Sequence, residues 1–158
     1  LVGGKVFITG GASGIGFAIA RKFVLAGATV AIADLDETTG IAAQRELESV
    51  SSTVRFLPVD LSSPNSVVAP VAAAIEELGA LDYAINNAGI AFSGSTMADT
   101  EFEQWRRVMA VNLDGVILCM REELKVMQAR GSPRSSCCAF TASCRRTFFA
   151  IDIVPFFI

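Results

Sequence analysis

From Thr9 the chain reads Thr-Gly-Gly-Ala-Ser-Gly-Ile-Gly, so Gly10, Gly14 and Gly16 punctuate the junction between an apolar run and a helical pattern. Glycines permit a tight turn and let a ligand approach the backbone without meeting Cβ atoms. A helix start adds unpaired N–H groups and a positive dipole end, the combination that suits a pyrophosphate. The spacing is GxxxGxG rather than GxGxxG. A bare strand-to-helix corner is the other reading of such a turn. Asp34 ends the next apolar run, where its carboxylate can accept hydrogen bonds from a ribose diol. The same charge repels a 2′-phosphate, and Asp36 adds to the repulsion, so the pattern favours NAD over NADP. Asp34 read instead as the cap of the following helix remains open. The chain contains 0 His, which excludes His-based acid–base catalysis and His-ligated metal. Cys119 stands apart from Cys137, Cys138 and Cys144, and no CxxC pair exists, so reduced thiols and no metal site are expected.

Four short apolar runs position these residues: Lys5–Thr9, Thr29–Ala33, Val54–Val59 and Leu81–Asn86. Near-continuous apolar character predicts strands covered on both faces. Helical patterns alternate with them. Ile15–Ala26 places Ile15, Ile19, Phe23 and Ala26 on one stripe, and Glu37–Val50 is charged along one side. Asn65–Leu78 directs Val68, Val71, Ala72, Ile75 and Leu78 inward, between Pro64 and Gly79, with Pro70 expected to kink it or delay its start. Glu101–Arg130 reads as one long helix. This alternation predicts a doubly wound parallel α/β sheet of Rossmann type, with Cys137–Ala142 as a candidate fifth strand.

In this order and spacing the residues resemble the classical short-chain dehydrogenase/reductase family. The resemblance rests on Thr9–Gly16, Asp60-Leu61, Asn86-Asn87-Ala88-Gly89 and Asn112 within Val-Asn-Leu-Asp-Gly, and covers about residues 3–130. It implies that Gly10, Ser13, Gly14, Ile15 and Gly16 surround the pyrophosphate and adenosine ribose. Asp60 would take the adenine amino group beside the Leu61 backbone, or else form a turn before Ser62–Pro64. Asn87, Ala88 and Gly89 would line the cofactor, while Asn86 ties strands together. Asn112 would hold a water of the family's proton relay, or serve as a structural polar link.

The family exchanges a substrate proton through a Tyr, with a Lys one helical turn later and a Ser upstream. Here the one Tyr is Tyr83, in the fourth strand candidate and followed four positions on by Asn87, so it is expected to pack in or near the core. Aligning Ser143 with the family serine puts Phe156 at the Tyr position and leaves the Lys position beyond Ile158. Ser136 gives Phe149 and Ile153, and Ser135 gives Phe148 and Asp152. The Tyr-x-x-x-Lys pair is absent, and Asn112 alone occupies a family catalytic position.

The chain also changes character near Gly131. Beyond it lie Arg134, Arg145 and Arg146 against the single Asp152, with Phe140, Phe148, Phe149, Phe156 and Phe157. Residues 1–130 therefore read as the dinucleotide-binding segment, and 131–158 as an atypical Cys- and Phe-rich tail from a splice, frameshift or gene-model junction. Thr147–Ile158 is too short to span a bilayer, and cover for the sheet, membrane-surface binding and aggregation all stay open for it. Hydrophobic residues make up 52% of the 158, which excludes a disordered chain. The net charge of −3 argues against nucleic acid as a partner. No secretory signal or transmembrane run is visible, so a cytoplasmic location is expected, and the missing initiator Met suggests a trimmed or partial chain. The resulting expectation is a truncated NAD(P)-binding oxidoreductase. Its substrate would be a small alcohol or carbonyl compound if the site were intact, and it is expected to be inactive as this chain. The alternatives are a non-catalytic nucleotide-binding protein that pairs with a second copy or an intact relative, and a nonfunctional product.

Overall fold

Five parallel strands stand in the order β3-β2-β1-β4-β5 in a computed structural model that describes residues 2–50, 54–91, 97–129 and 136–139. They are β1 (Lys5–Thr9), β2 (Thr29–Asp34), β3 (Val54–Pro58), β4 (Tyr83–Asn86) and β5 (Ser136–Ala139). The helices are α1 (Gly14–Leu25), α2 (Glu37–Glu48), α3 (Pro64–Leu78), α4 (Phe102–Met109) and α5 (Val116–Ala129). Successive side chains of β1 feed opposite faces: Val6 and Ile8 pack with α1 and α2, and Phe7 packs with α3 and α5. All three are fully buried. Each such side chain contributes roughly 1.5–3 kcal/mol, and the sheet is stable because both its faces are filled this way. The strand order reverses between β1 and β4, which opens a crevice at the carboxyl ends of the strands.

The expected fold class stands, with several local differences. In α1 the buried stripe is Gly16, Ala20 and Val24, while Ile15 is 52% exposed. The turn after β1 brings the helix in on its smallest residue, so the inward face shifts by one position from the stripe of largest side chains. In α3 the buried residues are Val67, Val71, Ala74, Ile75 and Leu78, so Val68 is only half-buried and Ala72 is exposed. Helix α3 starts at Pro64, so Pro70 does not delay it.

The predicted long helix is divided. A π-helical turn over Ala110–Gly115 separates α4 from α5, and α4 buries no residue. The wider turn lets Asn112 reach the chain that leaves β4, a contact that straight helical periodicity does not encode. Strand β5 pairs with β4 from Tyr83↔Ser136 to Asn86↔Ala139. The remainder of the predicted fifth strand, and the tail at 140–158, lie outside the described residues.

Candidate functional site

At the carboxyl ends of β1 to β4 lies a cleft of about 410 Å³. Its first wall is the glycine turn: Gly10, Ser13, Gly14 and Ile15 line it. Gly10 and Gly14 have φ of 63° and 53°, in the left-handed region that glycine occupies at no steric cost. A Cβ on Gly14 would meet no protein atom within 4 Å, so the turn keeps open space at the mouth of the helix. Gly16 has a different task. A Cβ there would strike the carbonyl oxygen of Gly10, and Gly16 does not line the cleft. It lets α1 pack on the turn. Ser13 is the N-cap of α1 but its side chain does not cap, and the first turn carries no acid. The helix start therefore keeps its N–H groups and positive dipole end for a ligand.

Asp34 closes β2 at the cleft. Its Oδ2 accepts from Ala12 N at 3.1 Å and its Oδ1 from Leu35 N at 2.8 Å. The cap of α2 is Asp36, which accepts from Thr39 N at 3.0 Å, so helix capping does not explain Asp34. The hydrogen bond from the Thr39 backbone, then that from the Thr39 side chain, holds the Asp36 carboxyl below the usual carboxylate range. Asp60 follows β3, and its Oδ1 accepts from Ser62 Oγ at 2.7 Å and Ser62 N at 2.8 Å. The turn reading of Asp60 is therefore realised through one oxygen, and Oδ2 makes no hydrogen bond among the described residues. The Ser62 hydrogen bonds, with a smaller contribution from the Arg107 charge, lower the Asp60 pKa and favour an ionised acceptor. Leu61 lines the same stretch.

Asn87, Ala88 and Gly89 line the cleft where β4 ends. Asn87 Nδ2 donates to Thr9 O at 3.2 Å and to Gly10 O at 3.0 Å, which stitches this segment to the glycine turn. The buried Oδ1 of Asn87 has no partner among the described residues. A buried acceptor left unpaired is costly. Open glycine backbone, an uncapped helix start and two carboxylates on the cleft wall together fit a dinucleotide. Among the described residues, no group of three or more His, Cys, Asp or Glu could hold a metal.

Two predicted site residues stand apart from the cleft lining, Gly16 and Asn112. Asn112 spends both ends of its amide on the backbone of Ile90. Asn86 ties β4 to helix α5, donating from Nδ2 to Glu123 Oε2 at 2.9 Å. Tyr83 packs under α1, with its ring 5.6 Å from that of Phe23, and does not reach the cleft. Sequence reasoning missed Ser62, Ile90 and Arg107. The Asp-x-Ser spacing signalled Ser62; no local pattern distinguished Arg107 from Arg106.

A family model described as short chain dehydrogenase matches residues 4–135. A 3beta-hydroxysteroid dehydrogenase of Mediterraneibacter gnavus is 36% identical over 126 residues, which are 80% of this chain and 46% of that protein. The short chain dehydrogenase/reductase astE of Aspergillus oryzae is 38% identical over 130 residues, or 81% of this chain and 50% of its own. This chain thus spans about half the length of these curated relatives. Among solved structures, a 3-ketoacyl-(acyl-carrier-protein) reductase from Brucella melitensis complexed with NADH superposes with a TM-score of 0.79 at 30% identity, covering 89% of this chain and 57% of that one. A metagenomic short-chain oxidoreductase in complex with NADP gives 0.81 at 29% identity, covering 88% and 62%.

Proposed function

Because the chain belongs to the short-chain dehydrogenase family, we propose that it binds NAD, in preference to NADP, as the dinucleotide-binding part of an oxidoreductase for alcohol or carbonyl substrates. Gly10, Ser13, Gly14 and Ile15 would hold the pyrophosphate, Asp34 the adenosine ribose, Asp60 and Leu61 the adenine, and Asn87, Ala88 and Gly89 the remainder. When bound, the nicotinamide would supply hydride transfer to a carbonyl carbon or from an alcohol carbon. The observation that carries the reading is Asp34, a carboxylate on the cleft wall held by two backbone N–H groups and not used as a helix cap. In that place it accepts from a ribose diol and repels a 2′-phosphate.

The proton for the substrate oxygen must come from a group within hydrogen-bond reach. Tyr83 lies under α1, and no Lys follows Lys125 in the 158 residues. The 158-residue polypeptide is accordingly proposed to bind the dinucleotide without turning substrate over by itself. Calorimetric titration with NAD and with NADP tests the first part, with Asp34→Asn as the comparison. NAD should bind more tightly to the parent chain, and the preference should narrow by about tenfold in the variant, as expected for removal of one like-charge repulsion. Equal affinities in the parent would refute the NAD assignment. Release of NADH from an alcohol above background would refute the second part.

A further inference from the structure

Two arginines adjoin near the end of α4 and have different surroundings. Arg106 lies over the ring of Phe102, 5.9 Å from its centroid, and Phe102 in turn stacks on Trp105. Arg107 lines the dinucleotide cleft, as do Asp60, Leu61, Ser62 and Val111. It is exposed, and its side chain makes no salt bridge or hydrogen bond among the described residues. A cation held beside a ligand cleft and left uncommitted is available to the ligand.

We propose that Arg107 pairs with Asp60 at the adenine as a further binding residue, its guanidinium serving the acceptor nitrogens or the face of the ring whose exocyclic amine the carboxylate takes. This rests on the NAD-binding reading above. Adenine offers one donor group, several acceptor nitrogens and a π face. A carboxylate matches the first, and a planar guanidinium matches the others. Asp60 keeps Oδ2 for this purpose, because the turn at Ser62 engages Oδ1. The Arg107 charge also favours the ionised form of Asp60, so the two groups support each other. Hypoxanthine exchanges the amine for a carbonyl, an acceptor that opposes the Asp60 carboxylate and suits a guanidinium, so the carboxylate carries the discrimination and Arg107 carries affinity.

The test is calorimetric titration of the 158-residue chain and its Arg107→Ala and Arg107→Lys variants. The ligands are NAD, NADP and nicotinamide hypoxanthine dinucleotide. NAD should bind the parent more tightly than the hypoxanthine analogue. Arg107→Ala should weaken NAD and NADP by the same factor, about three- to tenfold, without narrowing the gap between NAD and the analogue. Arg107→Lys should recover only part of the loss, because it keeps the charge without the planar fork. Nearly unchanged unfolding midpoints are expected, since the Arg107 side chain makes no hydrogen bond or salt bridge among the described residues and its charge is only the smallest of the effects on Asp60. If Arg107→Ala bound NAD as the parent does, the pair would be refuted while the NAD reading stood. A loss confined to NADP would make Arg107 a 2′-phosphate ligand and refute the pair. Failure of the parent to bind NAD at all would overturn the underlying reading and this proposal with it.

Discussion

Asn112 clasps Ile90 by both sides of its backbone: Oδ1 accepts from Ile90 N at 2.9 Å, and Nδ2 donates to Ile90 O at 2.8 Å. The π turn at Ala110–Gly115 is thereby tied to the residue that follows the cleft-lining Asn87–Gly89. Replacing Asn112 by Ala removes both hydrogen bonds to Ile90, and stability should fall by about 2 kcal/mol. Urea denaturation reads this directly. A midpoint equal to the parent's would show that water replaces both bonds without loss.

The two glycines of the α1 junction should separate packing from binding. Gly16→Ala drives a Cβ into the Gly10 carbonyl, so the helix must move off the turn, at a cost of about 2 kcal/mol. Gly14→Ala meets no atom, but its φ of 53° is strained for a side chain, and the cost is about 1 kcal/mol. Relative to that smaller cost, Gly14→Ala should weaken dinucleotide binding more, because the added methyl enters the open space of the cleft. Paired thermal melts and NAD titrations would measure both effects.

Asp36 predicts an acid-labile helix start. Its pKa is lower in the folded chain than in the unfolded one, so the unfolded state binds the proton more readily. The contribution to stability is complete above the ordinary carboxylate value of about 3.9 and is lost as the pH falls through the lower folded value. Asp60 adds a contribution of the same sign. Asp36→Ala should therefore melt below the parent at pH 7, and the two curves should converge in strong acid. Asp36→Asn should retain much of the cap at neutral pH, since its side-chain oxygen still accepts from Thr39 N.

Cys119 should be inert in the native state. It is fully buried in α5, and burial, with the charge of Glu123, pushes its thiol up to about 12. The thiolate is the reactive form, so alkylation at pH 8 should leave Cys119 unmodified until the chain is unfolded. Peptide mapping by mass spectrometry checks this, and native labelling at Cys119 would contradict its burial.

Much of the site was legible because its residues belong to local signals. The glycine turn, the acid ending β2, the Asp-Leu after β3 and the Asn-Ala-Gly after β4 each mark a strand end. In a doubly wound sheet, strand ends converge at the switch point between β1 and β4. The two readings of Asp34 could not be separated from spacing, since both Asp34 and Asp36 precede α2 closely enough to cap it. Only the backbone path showed that Thr39 N points to Asp36 while Asp34 turns to Ala12.

Residue types and their periods determined the alternation of strands and helices, the glycine corner, the acidic strand end and the absence of His and of a Tyr-x-x-x-Lys pair. Tertiary structure decided which stripe of α1 and α3 faces inward, where the long helix opens into a π turn, that Gly16 serves packing, and that Arg107 rather than Arg106 lines the cleft. The physical reason is range. Turn chemistry and period act over a few residues, whereas a helix's inward face and a side chain's neighbours depend on how closely distant segments approach, as Gly16 against Gly10 and Asn112 against Ile90 demonstrate.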